Sequence, residues 1–136
     1  LSVLEKRGML QAVERVGGTS VGAITALLVA LGYTADEMTA ILADLKIQQF
    51  NDGRWFFVGG LHRMTRQYGW YRGERFERWL ETLVARKTGN PCLTFAQLHE
   101  LSRPGFRDLY VTGTNLTTQK TVVFSHEHTP LSLIHI

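Results

Sequence analysis

The stretch RVGGTSVGAITALLVALG, which runs from Arg15 to Gly32, decides the fold of this protein. It places Ser20 in a glycine-rich turn and follows that serine at once with an uncharged run rich in alanine and leucine. Such a run predicts a helix from about Ser20 to Leu31, and the lack of charge on every face predicts that this helix is buried all round. A short strand, a tight turn and a buried helix are therefore expected in succession.

Gly18, Ser20 and Gly22 match the pattern Gly-x-Ser-x-Gly, in which a serine lies at the tip of a strand-to-helix turn. We expect both glycines to be required, because a Cβ atom at either position would collide with the strand or the helix. The same turn leaves the backbone amide of Val21 free at the start of the helix, where the helix dipole is positive. The pattern thus predicts a serine nucleophile with one oxyanion-binding amide beside it.

A second interpretation of the same residues stays open. Serine is a preferred N-cap residue, and in this interpretation Ser20 only accepts a hydrogen bond from an amide in the first turn of the helix. The chain is then a non-catalytic interaction module. A candidate strand before the serine and a helix that begins at the serine favour the nucleophile.

The segments on either side of this turn alternate between helical and extended patterns. Leu1–Gly8 has helical spacing and ends at a glycine, and Leu10–Gly18 is a candidate strand that two charged residues interrupt. Two β-rich runs follow late in the chain, at Asp108–Thr114 and Lys120–Ser125, with turn-like residues between them. This order of elements predicts an α/β fold in which helices surround a sheet.

Three further helices are predicted between the helix at Ser20–Leu31 and the late strands. Thr34 and Glu37 form one capping box, and Thr94 and Gln97 form a second, so a helix is expected to begin at each. Glu74–Gly89 carries apolar residues at the spacing of an amphipathic helix and basic residues near its carboxyl end.

Composition and charge limit the functions that the chain can have. The 136 residues carry a net charge of +3, and the 15 basic and 12 acidic residues are interspersed, so no basic stripe for nucleic acid is present. The single cysteine, Cys92, has no partner for an internal disulfide and no Cys-x-x-Cys spacing for zinc. We expect this cysteine to be partly buried.

The first residues, LSVLEKRG, include no initiator methionine and no basic and then apolar signal region. The longest apolar run, AITALLVALG, is about half of the roughly 20 residues that a membrane span needs. These features predict a piece of a longer protein that is cytoplasmic or peripheral to a membrane.

The remaining candidates for catalysis or metal binding are weaker. Ser20, Asp108 and His126 or His128 occur in the order serine, acid, histidine, which keeps a Ser-His-Asp esterase of the α/β-hydrolase type as an alternative. His126 and His128 also resemble a metal-binding pair, but two ligands without a third predict no metal site. Asp52, in an Asp-Gly pair, is more typical of a turn than of a catalytic base.

Aromatic residues lie near arginines in the middle of the chain. They are Trp55, Phe56, Phe57, Tyr68, Trp70 and Tyr71, beside Arg54, Arg63, Arg66 and Arg72. We interpret them as core packing under long loops, and the alternative is a cap over an acyl pocket or a patch that touches lipid head groups.

The serine turn and the late strands together resemble the patatin-like phospholipases. VGGTSVGAITALLVALGYTADEM is similar to that family's nucleophile turn, which usually reads Gly-Thr-Ser-x-Gly-Ala, and to the helix after it. LSVLEKRGM resembles the end of the family's first helix, and RDLYVTGTNLTTQKTVVFSHEHTP resembles its paired late strands. The resemblance covers residues 1–130 and implies a partial patatin-like domain, a three-layer α/β/α sandwich incomplete at both ends. We interpret residues 131–136 as a tail of doubtful origin.

For function, the resemblance implies an acyl hydrolase that acts on phospholipids or related lipids, without a cofactor, with peripheral membrane contact and without nucleic acid. In such enzymes an aspartate takes the proton of the serine directly, so a Ser–Asp dyad replaces the triad. Ser20 is then the nucleophile, the amide of Val21 joins the oxyanion hole, and Gly18 and Gly22 shape the turn. The family's glycine-rich oxyanion loop and its dyad aspartate have no counterpart in these 136 residues, so this piece alone is expected to be inactive.

Overall fold

The computed structural model describes residues 1–51, 74–101 and 105–127. In chain order the elements are α1 (Ser2–Lys6), a 3-10 helix (Met9–Ala12), β1 (Arg15–Gly18), α2 (Val21–Ala30), α3 (Ala35–Asn51), α4 (Glu74–Thr88), α5 (Phe95–Glu100), β2 (Asp108–Asn115) and β3 (Lys120–Phe124). Asp52, His128, the aromatic and arginine stretch at 54–72 and the tail at 131–136 lie outside the described residues. The mixed order of helices and strands confirms the predicted α/β class.

β2 is the central strand of a three-stranded sheet within the described residues. β1 runs parallel to it, with Arg15 opposite Asp108 and Gly18 opposite Val111, and β3 runs antiparallel to it, with Val111 opposite Phe124. The helices between β1 and β2 supply the crossover that a parallel pair requires. Both late strands match their predicted bounds to within one residue.

The first strand is shorter than the sequence predicts. Met9–Ala12 forms a 3-10 helix directly after Gly8, whose φ of 68° turns the chain. The amide of Asp108 donates to the carbonyl of Glu14 at 2.9 Å, so pairing with β2 begins only there. Because a strand needs a partner for its backbone groups, the predicted strand Leu10–Gly18 is wrong over its first half.

The second half of α2 forms the centre of the hydrophobic core. Leu28 and Ala30 are fully buried. They belong to one cluster with residues of α4, α5 and β2, which are Leu80, Leu83, Val84, Phe95, Leu98 and Leu109. Val21 in the first turn is 67% exposed, so the prediction of a helix buried all round is wrong for its amino-terminal part. The reason is that α2 starts past the carboxyl end of β1, beyond its last paired residue. It reaches the packed helices only about a turn and a half later.

Capping boxes begin two helices, as predicted. The amide of Thr34 donates to the carboxylate of Glu37 at 2.7 Å, and the amide of Glu37 donates to the hydroxyl of Thr34 at 3.2 Å. Thr94 and Gln97 form the same reciprocal pair before α5. The amide of Thr34, followed by the ammonium of Lys87, holds the pKa of Glu37 below its usual value. This carboxylate therefore stabilises the fold above its unfolded-state pKa, and the contribution is lost as the pH falls through the lowered pKa.

Cys92 is exposed, and the expectation of partial burial is wrong. It lies in a surface turn after α4, where its amide donates to Oδ1 of Asn90 at 3.0 Å. This local hydrogen bond shapes the turn, and the core is formed by residues on either side of it.

Among the described helices, none combines the length and the apolar character needed to cross a lipid bilayer.

Arg107, directly before β2, ties separate segments of the chain together and is only 8% exposed. Its Nη1 donates to the carbonyls of Val29 and Gly105 at 2.9 and 2.7 Å. Its Nη2 donates to the carbonyl of Leu10 at 2.7 Å, and its own amide donates to the carbonyl of Ala30 at 2.9 Å. The last turn of α2 carries the negative end of the helix dipole, so the guanidinium is favourably placed there. Burial lowers the pKa of Arg107, but a guanidinium remains charged at neutral pH.

Replacing Arg107 with methionine should destabilise the protein by about 2–4 kcal/mol, because interior carbonyl groups lose their charged donor. Urea unfolding of the wild type and the variant measures this difference. Arg86→Met is the matched control, since Arg86 is exposed in the last turn of α4. The control should change the free energy of unfolding by less than about 0.5 kcal/mol. Equal stability of the two variants would contradict the role given to Arg107.

Candidate functional site

Ser20 lies between the last residue of β1 and the first residue of α2, at the carboxyl end of a parallel strand. Its backbone has φ of 53° and ψ of −126°. A positive φ of this kind costs a non-glycine residue on the order of 1–3 kcal/mol. The residue is also exposed. A strained, exposed serine on a strand-to-helix turn has the geometry that the Gly-x-Ser-x-Gly pattern predicts.

The hydroxyl of Ser20 does not cap α2. It accepts no capping hydrogen bond from the first turn. The amides of Gly22 and Ala23 donate instead to the backbone carbonyls of Thr19 and Ser20, both at 2.9 Å. An N-cap serine has an extended backbone, which a φ of 53° excludes. The interpretation of Ser20 as a helix cap is therefore wrong.

The amide of Val21 is the next polar group of this turn. No hydrogen bond within the described part of the chain uses it. The first amides of any helix lack partners inside the helix, and here the turn satisfies those of Gly22 and Ala23 but not that of Val21. An unbonded N–H thus lies at the positive end of α2, one residue from the Ser20 hydroxyl.

Gly18 and Gly22 contribute to the turn in different ways. A Cβ atom on Gly18 would overlap the carbonyl group of Gly22 and lie 2.7 Å from the amide nitrogen of Ala23. A Cβ atom on Gly22 would meet no atom within 4 Å. The prediction that both glycines are sterically required is confirmed at Gly18 and wrong at Gly22. The backbone of Gly22, and not its missing side chain, makes the close contact.

Thr19 fixes the turn to the central strand, a role that no sequence pattern identifies. Its Oγ1 donates to the carbonyl of Thr112 at 3.2 Å, across 93 positions of the chain. This hydrogen bond continues the β1–β2 register one residue beyond the last pair, Gly18 and Val111. The turn is thereby held on both of its sides, by α2 and by β2.

Asp108 and His126 lie at the opposite end of the parallel strands from Ser20. Asp108 pairs with Arg15, the first residue of β1, whereas Ser20 follows the last residue of β1. Along β2, the path from Asp108 to Thr112 is about 13 Å at roughly 3.3 Å per residue. In a catalytic triad one histidine lies within about 3 Å of both the serine and the acid, so the serine and the acid lie on either side of one ring. The alternative of a Ser-His-Asp triad built on Asp108 is therefore wrong.

The carboxylate of Asp108 instead faces two histidines. Its Oδ1 lies 2.9 Å from Nδ1 of His99 and 3.9 Å from Nδ1 of His126. The two imidazole rings stack, with centroids 4.0 Å apart and 6° between their planes. Tyr110 meets His126 edge-on at 6.1 Å and donates its hydroxyl to Glu127 at 2.8 Å. Burial, followed by that hydrogen bond, raises the pKa of Tyr110.

The sequence pattern missed this cluster because its members come from α5, from β2 and from the turn after β3. From the sequence, the candidate metal-binding pair is His126 and His128. Of these two, His128 lies outside the described residues. The sequence contains five histidines, and no residue near His99 in the chain marks it as a metal ligand. Only the packing of α5 beside β2 brings it to Asp108.

Comparison with known proteins identifies relatives over most of the chain. A family model described as Patatin-like phospholipase matches residues 1–134. An uncharacterized protein of Acanthamoeba polyphaga mimivirus is 28% identical over 122 residues, which cover 90% of this chain and 38% of the viral protein. The uncharacterized protein YqhO of Bacillus subtilis is 34% identical over 89 residues, which cover 62% of this chain and 30% of YqhO. The chain thus spans about a third of the length of these relatives.

Two solved structures are similar to this chain in fold. One is the crystal structure of full-length SpcU in complex with full-length ExoU from the type III secretion system of Pseudomonas aeruginosa. The match has a TM-score of 0.68 and 25% identity, and it covers 96% of this chain and 32% of that chain. The other, a crystal structure of the type III effector protein ExoU, matches with a TM-score of 0.60 and 21% identity over 96% of this chain and 34% of that chain. Both agree with the α/β architecture described above.

The two glycines of the turn provide a matched pair of variants. Gly18→Ala should destabilise the protein by about 3 kcal/mol or more, because the new methyl group overlaps the backbone of α2. Gly22→Ala should stabilise the protein by up to about 1 kcal/mol, because the position is open and helical. Urea unfolding of both variants measures the difference. A larger loss of stability in Gly22→Ala than in Gly18→Ala would contradict the described turn.

Backbone strain at Ser20 is tested by glycine, which adopts positive φ without steric cost. Ser20→Gly should raise the free energy of unfolding by about 1 kcal/mol. Ser2→Gly makes the same chemical change in the first turn of α1 and should lower the free energy of unfolding by about 0.5–1 kcal/mol. Thermal unfolding of the two variants provides the measurement. A Ser20→Gly variant that is less stable than the wild type would show that the serine is not strained.

Proposed function

The chain belongs to the patatin-like phospholipase family, and from that membership we propose that it carries the nucleophile of a lipid acyl hydrolase, with Ser20 as the attacking residue. The observation that carries the proposal is the exposed Ser20, held at φ of 53° beside the unbonded amide of Val21. The proposed substrates are acyl esters of phospholipids or related lipids. Because the chain spans about a third of its relatives, the activity is proposed for the whole protein.

In the proposed reaction, Oγ of Ser20 forms a bond to the acyl carbon of the ester, and the carbonyl oxygen takes up negative charge. The amide of Val21 donates to that oxygen, aided by the positive end of α2. The ester bond then breaks, and the departing alkoxide receives the proton that Ser20 lost. Water attacks the resulting acyl-serine, which releases the fatty acid and restores the hydroxyl group.

A base has to accept the proton of Ser20. Asp108 is too far away, since it lies at the other end of the parallel strands. We propose that the base is the aspartate that the family resemblance implies, which acts on the serine directly in a Ser–Asp dyad. Further oxyanion donors are proposed to come from the family's glycine-rich loop. Among the described residues Val21 is the one oxyanion donor that we propose, and the family's dyad aspartate has no counterpart in the sequence. We therefore expect the 136-residue chain alone to be inactive.

The positions of two exposed apolar side chains support the proposal of contact with a lipid surface. Val21 is 67% exposed in the first turn of α2, and Leu116 is 86% exposed directly after β2. Both lie toward the carboxyl end of the parallel strands, where Ser20 lies. We propose that this end of the sheet faces the lipid from which the ester is drawn, and such an interface would remove both apolar side chains from water.

Ser20→Ala in the whole protein should lower the rate of ester hydrolysis by roughly 10⁴-fold or more, because the nucleophile is removed. A fluorophosphonate probe should label the wild type at Ser20 and leave the variant unlabelled. Ser2→Ala, which removes a hydroxyl at the start of α1, is the matched control and should retain full activity. Phospholipid vesicles should be better substrates than a soluble short-chain ester.

Three results would contradict parts of the proposal. Unchanged hydrolysis in Ser20→Ala would remove the nucleophile assignment. Absence of probe labelling in the wild type would favour a non-catalytic module. Faster hydrolysis of the soluble ester than of the vesicle lipid would contradict the assignment to lipids.

A further inference from the structure

We propose that His99, Asp108 and His126 bind one divalent transition-metal ion of the zinc type, at the end of the sheet opposite to Ser20. Each residue offers one ligand atom, and the three atoms lie within 4.8 Å of one another. The ligands come from α5, from the first residue of β2 and from the turn after β3. This inference does not depend on the proposed acyl hydrolase.

The distances between the ligand atoms fit a single ion. Zinc binds nitrogen and carboxylate oxygen at about 2.0–2.2 Å, which separates neighbouring ligands around a tetrahedral ion by roughly 3.3 Å. Oδ1 of Asp108 lies 2.9 Å from Nδ1 of His99 and 3.9 Å from Nδ1 of His126, so the two distances bracket this value. The three donors therefore lie close enough to reach one ion once the two rings reorient.

The chemistry of the three donors selects the class of ion. Two imidazoles and one carboxylate form a set that zinc and other first-row transition ions favour. Magnesium and calcium prefer oxygen ligands throughout, and we expect neither to bind here. The side chain of His99 is 53% exposed, whereas those of Asp108 and His126 are each 17% exposed. Solvent therefore reaches the site from the side of His99 and can supply water as the remaining ligand.

A second carboxylate, that of Glu127, lies beside His126. While Nδ1 of His126 faces Asp108, its Nε2 lies 4.0 Å from Oε1 of Glu127. This separation is too long for a hydrogen bond, so Glu127 adds negative charge beside the proposed cation and does not fix the ring. Tyr110 in turn donates to Oε1 of Glu127 at 2.8 Å and holds that carboxylate in place.

The stacked rings predict a structural change on binding. Parallel planes, 6° apart, do not allow both Nδ1 lone pairs to point at one ion. The ring of His99 is more exposed than that of His126, so binding turns His99 out of the stack. The ion then joins α5 to β2 and to the end of β3, and it stabilises this end of the sheet without taking part in chemistry at Ser20.

The test titrates the full chain, carrying Cys92→Ser to remove the exposed thiol, with Zn²⁺ alone. Calorimetry should give one zinc per chain, and Zn²⁺ should raise the melting temperature while Mg²⁺ leaves it unchanged. His99→Ala and Asp108→Asn should each weaken binding by at least about 100-fold, since loss of even an outer partner costs about 10–100-fold. His128→Ala is the matched control and should leave the affinity unchanged.

The variants also separate a metal site from a purely structural contact. His99→Ala removes an exposed side chain and Asp108→Asn keeps its shape, so both should melt near the wild-type temperature without metal. In nitrogen NMR spectra, Nδ1 of both His99 and His126 should shift when zinc is added. Absence of saturable zinc binding would overturn the proposal. So would loss of binding in His128→Ala with retention in His99→Ala, which would place the ion on the pair at 126 and 128.

Discussion

The close approach of the first turn of α2 to the last residue of β1 is the constraint on which the rest of the structure depends. The two backbones meet at Gly18, where the carbonyl group of Gly22 occupies the space that a side chain would need. This contact sets the direction in which α2 leaves the sheet, and that direction carries Ala26–Leu31 into the core. Between the two residues in contact, Ser20 has a positive φ and is exposed, so the strained serine lies in the same turn as the close backbone approach.

Strain at one residue persists only where its surroundings over-determine the conformation. Here hydrogen bonds join both ends of the α2 segment to β2 or to the residue directly before it. Near its start, Thr19 donates to the carbonyl of Thr112, and at its end Arg107 binds the carbonyl of Val29. Neither bond belongs to the regular pairing of the sheet. Together they hold the turn against relaxation and keep Ser20 in its strained conformation.

The two ends of the parallel strands carry different groups. The carboxyl end of β1 presents a hydroxyl, an unbonded amide and a helix dipole, which suit an acyl group that develops negative charge. The amino end of β2 presents Asp108 between His99 and His126, which suit a cation. The length of β2 keeps these groups apart, so the carboxylate that looked like part of a triad serves a separate cluster. The family membership and the serine turn concern the carboxyl end of β1, whereas the distances among His99, Asp108 and His126 concern the amino end of β2.

Much of this protein could be predicted from the sequence, because the relevant patterns involve residues that are close in the chain. The capping boxes at Thr34 and Thr94, the late strands and the glycine-flanked serine turn each depend on neighbours within a few positions. The tertiary structure alone decided that Gly22 tolerates a side chain, that Ser20 does not cap its helix and that Asp108 lies far from it. The physical reason is that strand register and helix packing set distances between residues far apart in sequence, and no local pattern records those distances.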